Sequence, residues 1–138
     1  MEQAVIDANV LVKLFINENY SNDALRLKDA YLAGRLAISV PSLTLYELIN
    51  VLKYKGFSSD EIKRALRAVD DYAFRVEAAS PQISDLIADI AIRFDITSYD
   101  ASYLALASLL GAILYTADAR LIKKVASLRF VRHIKNFD

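Results

Sequence analysis

The chain has 138 residues, 55% of them apolar, enough to bury one core and too few to divide into two ordinary domains, so residues 1–138 are read as a single domain. Its 17 basic and 17 acidic residues cancel, so no whole-molecule charge marks it for nucleic acid or membrane, and any electrostatic signal has to be local. With no cysteine and a single histidine, disulfides, thiolate catalysis, cysteine-ligated zinc and histidine-rich metal sites are excluded, which leaves carboxylates as the main chemical resource.

The opening run to Asp7 lacks the basic and apolar regions of a secretion signal, which sets the expectation of a cytoplasmic protein. A short β-branched run over 3–6 predicts a strand ending at Asp7, and 8–15 reads as a helix before the polar turn at Asn17, Glu18 and Asn19. Ser21 or Asn22 is a candidate cap for a second helix reaching about Gly34, and a short strand over 37–40 is closed by Pro41. Ser42 is then expected to cap a third helix running to Lys55. Ser58, followed three residues later by Glu61, has the capping-box pattern and opens a fourth helix to about Tyr72.

Residues 74–78 read as a short strand or extended link, and Ser80-Pro81 puts proline at the first position of a fifth helix ending near Phe94. Ser98 is the expected cap of a sixth helix up to Gly111, followed by a buried strand over 113–116, a helix over 119–127 and a last strand over 130–133. The apolar stretch 96–117 is interrupted by Asp100 and by several hydroxyl side chains, so it reads as a buried helix and strand and not as a membrane span. Short apolar strands alternating with helices predict an α/β fold: a parallel sheet of about four or five strands between two helical layers. Functional groups are expected beyond the strands' carboxyl ends.

Four acids stand apart from the mixed-charge surface stretches. Asp7 is the only charge between Glu2 and Lys13, Glu47 the only one between Arg35 and Lys53, and Asp100 the only one between Asp95 and Asp118. Asp118 follows directly on the strand over 113–116. An ionised carboxylate in apolar surroundings costs several kcal/mol unless a cation or good hydrogen bonds meet it, and no lysine or arginine lies within a helical turn of Asp7, Glu47 or Asp100 in sequence. Asp7 and Asp118 end strands, Asp100 lies in the first turn of a helix, and Glu47 projects from another helix with Asn50 three residues on, so one site can gather them. Each acid alone also has an ordinary reading: Asp100 can complement a helix dipole, and Asp7 and Asp118 can cap the helices they precede. Together, clustered carboxylates repel one another unless a hard divalent cation neutralises them, and an all-oxygen donor set selects magnesium or manganese over zinc. Such a site suits phosphodiester hydrolysis.

These residues resemble the PIN-domain ribonucleases, and within them the small VapC-like toxins of prokaryotic toxin–antitoxin systems. Val5-Ile6-Asp7-Ala8-Asn9 looks like the family's opening motif, Leu45-Tyr46-Glu47-Leu48-Ile49-Asn50 is similar to its glutamate helix, Tyr99-Asp100-Ala101-Ser102-Tyr103-Leu104 resembles its third motif, and Thr116-Ala117-Asp118 matches its strand-end threonine-x-aspartate. The resemblance implies a three-layer PIN-like fold, endonucleolytic cleavage of RNA with Mg2+ or Mn2+, a homodimer, and inhibition by a small antitoxin whose tail reaches the active site. It also implies that Asp7, Glu47, Asp100 and Asp118 bind metal directly or through water while Asn9 and Thr116 hold them in place. Many relatives carry a further acid after the last motif, where this chain has Ala119-Arg120, so the number of metal positions stays open.

From residue 120 onward six basic residues face one acid, and Arg120 and Lys124 are the candidates for holding RNA phosphates if they lie beside the acids. An ordinary solvated helix face is the alternative. Lys53, Lys55, Lys63, Arg64 and Arg67 form a second basic group with the same two readings. His133 falls on the last strand and is left out of the site, and Tyr99 and Tyr103 are spaced as core or dimer-interface residues. Only three glycines are present and none forms a phosphate-cradling loop, which disfavours nucleotide-cofactor chemistry. Two other function classes stay open: a non-catalytic module of the same fold that binds RNA or builds an assembly, and, more remotely, a magnesium-dependent receiver-like or phosphatase-like domain.

Overall fold

A computed structural model describes residues 1–138. Five strands, β1 (Glu2–Ile6), β2 (Leu36–Pro41), β3 (Arg75–Glu77), β4 (Ile113–Thr116) and β5 (Val131–His133), form one sheet in the order β3-β2-β1-β4-β5. Every neighbouring pair is parallel. Parallel strands need crossovers, and seven helices supply them or decorate them: α1 (Ala8–Val12), α2 (Ser21–Leu32), α3 (Thr44–Tyr54), α4 (Ser59–Tyr72), α5 (Pro81–Phe94), α6 (Ser98–Leu110) and α7 (Ala119–Lys124). No helix is long and apolar enough to cross a membrane.

The period-two alternation of the strands assigns each layer its core. Ala4 and Ile6 of β1 point into a cluster with Ile38, Val40 and side chains of α1–α4, while Val5, between them, points into a second cluster with Leu104, Leu106, Leu114 and Leu121. With both faces covered, the second half of β1, Ala4-Val5-Ile6, is apolar and buried without interruption, as in a central parallel strand. The chain builds outward from β1 through β2 to β3, then returns to the other side of β1 for β4 and β5. The succession of strands therefore reverses between β1 and β4, and in open parallel sheets the crevice at that reversal, beyond the carboxyl ends, is where ligands bind.

Three helix caps differ from expectation. Ser21 does not cap α2: its hydroxyl accepts from Glu18 N–H at 2.9 Å and donates to the Ile16 carbonyl at 2.8 Å, closing the preceding turn, and Tyr20 precedes the helix with φ of 69°. Ser42 does not cap α3, because its N–H continues the ladder to the Glu77 carbonyl at 3.0 Å. Pro41 is accordingly the last residue of β2, and the helix starts at Thr44. Thr97, one residue ahead of Ser98, caps α6 by accepting Asp100 N–H. The first and last helices are also shorter than expected, α1 stopping at Val12 and α7 at Lys124. The capping box of Ser58 and Glu61 and the Ser80-Pro81 start of α5 are found as expected.

Candidate active site

Asp7 and Asp118 each end a segment on one of the two central strands at the reversal point. Each uses one carboxylate oxygen as a helix cap: Asp7 Oδ1 accepts from Val10 N–H at 2.9 Å, and Asp118 Oδ1 accepts from the N–H groups of Arg120 and Leu121 at 3.0 and 3.1 Å. The ordinary capping role is thus real for both, and in each case it occupies Oδ1 alone. The register of β1 against β4 sets Ile6 opposite Tyr115, so the next pair along brings Asp7 beside Thr116. The fully buried Thr116 hydroxyl donates a short hydrogen bond to Asp7 Oδ2 and accepts one from Asp118 N–H at 3.1 Å, tying the two strand ends together.

The helices bring the other two acids. Asp100 lies in the first turn of α6, and Glu47, half-buried on α3, accepts a hydrogen bond from the Tyr103 hydroxyl at 2.5 Å. Burial is the largest influence on Asp7, Glu47 and Asp100 and raises the pKa of each. For Asp7 burial outweighs the Thr116 and Val10 hydrogen bonds, the fields of Asp100 and Glu47 add to it, and ionisation is pushed up from 3.8 to about 6. Glu47 is raised by burial and by the negative charge of Asp100, against the Tyr103 hydrogen bond. Asp100 is raised by burial and by Asp118, while Thr97 and the Lys124 ammonium pull it down. Four acids from four elements therefore sit within one another's fields. No three of them converge on a single ligating point, so their fit to a cation rests on the donor chemistry: oxygen only, negatively charged, with Asp7, Glu47 and Asp100 each destabilised as anions by a neighbouring acid.

Asp100 and Asp118 line a cavity of about 280 Å3 whose wall also carries Thr97, Arg120 and Lys124. Lys124 Nζ donates to the Asp95 carbonyl at the end of α5, 2.8 Å away, which pins the ammonium at the rim. The locally basic carboxyl-terminal segment therefore delivers two cations beside the acids. In the second basic group, Lys55 is tied to Glu18 at 3.1 Å, where Glu18 also meets the buried Lys13 at 2.8 Å. His133 lies apart, edge-on to the Tyr20 ring with Nδ1 accepting from Lys135 N–H.

A model of the PIN domain matches residues 4–128. The chain belongs to the PIN-domain family. Among curated proteins it is similar to Ribonuclease VapC3 of Pyrobaculum aerophilum, 28% identical over 130 residues, which is 90% of this chain and 95% of that protein. Among solved structures, PAE2754 from Pyrobaculum aerophilum is 27% identical with a TM-score of 0.69, over 97% of this chain and 85% of that one. A toxin–antitoxin complex from Klebsiella pneumoniae superposes with a TM-score of 0.70 at 22% identity, covering 95% of this chain and 97% of that one. The five-stranded parallel sheet between helical layers is the PIN-like arrangement expected from sequence.

Within this PIN domain the structure brings Asp7, Glu47, Asp100, Asp118, Thr116, Arg120 and Lys124 to one end of the sheet. Asn9 is exposed on α1 and takes no part in the hydrogen bonds that hold Asp7, which come from Thr116 and Val10. Asn50 is exposed too; the buried polar partner on the face of Glu47 is Thr44, one turn earlier. Tyr99 is 59% exposed, not a core residue, whereas Tyr103 is 2% exposed yet directs its hydroxyl at the site. The sequence carried a signal for these two hydroxyls in the three-residue spacings of Thr44 from Glu47 and Asp100 from Tyr103, which put each pair on one helix face.

Proposed function

We propose that this PIN domain is an endoribonuclease that hydrolyses RNA phosphodiester bonds with Mg2+ or Mn2+ at Asp7, Glu47, Asp100 and Asp118, and that it is the toxin of a toxin–antitoxin pair. The observation that carries the reading is the shared field of four carboxylates at the strand-reversal crevice, opening into a cavity rimmed by two cations. A divalent cation there would neutralise the acids, polarise the phosphodiester and lower the pKa of an attacking water.

The chain's own residues divide the remaining work. Thr116 orients Asp7 and links it to the Asp118 backbone, so the two strand-end acids keep a fixed separation. Tyr103 holds Glu47 toward Asp100. Arg120 and Lys124 meet the phosphates flanking the scissile one without reading sequence. Beside Glu47, a groove of about 350 Å3 lined by Leu11, Val40, Leu45, Tyr46 and Val69 offers apolar surface for the antitoxin. Ile92 on α5 and Leu109 on α6 are exposed apolar side chains that a homodimer would cover.

The test is cleavage of a mixed RNA pool by the purified protein with Mg2+, with Mn2+ or with chelator, beside Asp7→Asn. Cleavage that needs both the metal and Asp7 is expected. Metal-independent cleavage, or equal cleavage by Asp7→Asn, would remove the carboxylate mechanism. A folded, metal-binding protein that leaves every RNA in the pool intact would favour the non-catalytic RNA-binding or assembly module.

A further inference from the structure

Glu47 and Asp100 reach the site from different helices, and each helix carries a hydroxyl one turn from its acid: Thr44 before Glu47 on α3, Tyr103 after Asp100 on α6. Around Tyr103 the buried residues of α6 are Ala101, Leu104, Ala105, Leu106 and Ala107, with Ser102 the one buried polar neighbour, its hydroxyl satisfied by the Ser98 carbonyl, so the ring sits in mostly apolar core. Phenylalanine would fill that space with no polar atom to satisfy. A buried phenol needs a partner, and this one reaches Glu47 Oε1 at 2.5 Å. The Thr44 hydroxyl is also buried, and it has no hydrogen-bond partner.

Glu47 has reason to leave the cluster. It is a long, half-buried side chain on an exposed rim, repelled by Asp100 and close to Asp7, and an outward rotamer would restore its hydration. A donor on a rigid ring opposes that departure with a charge-assisted hydrogen bond while occupying only one of the two carboxylate oxygens.

We infer that Tyr103 is a positioning residue whose buried hydroxyl holds Glu47 in the rotamer that joins the carboxylate cluster. The inference rests on the carboxylate reading above. Its consequence is that a core residue of α6 sets the affinity for the divalent cation without touching it.

The test is calorimetric titration of Mn2+ into wild type, Tyr103→Phe, Thr44→Val, Glu47→Ala and the double variant Tyr103→Phe/Glu47→Ala, with circular dichroism in chelator to establish folding. Tyr103→Phe is expected to weaken Mn2+ binding by about 10- to 100-fold, the usual cost of losing a group that orients a metal-binding side chain. In the Glu47→Ala background the same substitution should change affinity by less than about twofold, because the group it positions is gone. Thr44→Val, which keeps the shape and removes a hydroxyl that makes no hydrogen bond, should change affinity by less than about twofold. Unchanged Mn2+ affinity in folded Tyr103→Phe overturns the inference, as does an equal loss with and without Glu47. Failure of the underlying reading looks different: wild-type Mn2+ binding that is absent, or that survives Asp7→Asn unaltered.

Discussion

The inner and outer halves of the acidic site are built from opposite materials. In the inner half, Asp7 and Glu47 are held by buried hydroxyls, Thr116 and Tyr103, and no cation of the protein touches them. In the outer half, Asp100 and Asp118 face a cavity with Lys124 and Arg120 on its wall. Hydroxyl donors orient a carboxylate without cancelling its charge, whereas an ammonium cancels it. The inner acids are therefore left short of a counter-ion, which suits a cation from outside, and on the proposed function the protein's own cations would meet incoming phosphates.

The largest expected effect comes from the inner half. Asp7→Asn removes a carboxylate itself, and its loss of metal-dependent cleavage should exceed the roughly 100-fold typical of merely disturbing a partner group. Measured turnover within tenfold of wild type would break the inner–outer distinction outright.

The same residue makes the inner half sensitive to pH. Because the ionisation of folded Asp7 is raised from 3.8 to about 6, the folded state favours the protonated acid; the stability this contributes is fully present below about pH 4 and is lost as pH rises through about 6. A shift of that size corresponds to about 3 kcal/mol between the two limits. Asparagine carries no such charge, so in chelator Asp7→Asn should gain on the wild type between about pH 4 and about pH 8 in denaturant titrations. A difference between the two proteins that is constant across that range would place Asp7 in far wetter surroundings than it has here.

Thr116→Val tests the link between the halves. It keeps the shape of a fully buried side chain but leaves Asp7 Oδ2 and the Asp118 N–H without their shared hydroxyl. Mn2+ affinity should fall by about 10- to 100-fold. An unchanged affinity would mean that the two strand ends keep their geometry without it.

The smallest effects belong to the outer cations. Arg120→Ala and Lys124→Ala should each weaken RNA binding by a similar factor across sequences and lower the slope of log affinity against log salt by about 1. Mn2+ affinity should hardly move. Loss of cleavage at unchanged salt slope would place either cation at the reacting phosphate instead of along the flanking backbone.

The sequence by itself determined the fold class and the acids. The β-branched and apolar runs marked four strands and left 74–78 between a short strand and an extended link, the Ser58 capping box and the Ser80-Pro81 pair marked two helix starts to the residue, and the isolation of Asp7, Glu47 and Asp100, with Asp118 at a strand end, marked the candidate site. These are local signals, since a strand's period and an unpaired charge are visible within a few residues. What only the tertiary structure decided was the rest of the hydrogen bonding around those acids. Thr116, which the resemblance names beside Asn9 as a support, donates to Asp7 from 109 positions away, while the exposed Asn9 makes none of the hydrogen bonds to it. Tyr103 reads as an apolar core position from its helix, and only the placement of α6 against α3 turns its oxygen onto Glu47. A hydrogen bond between distant residues depends on strand register and helix orientation, and those are settled by the packing of the whole core, which no short stretch of sequence contains.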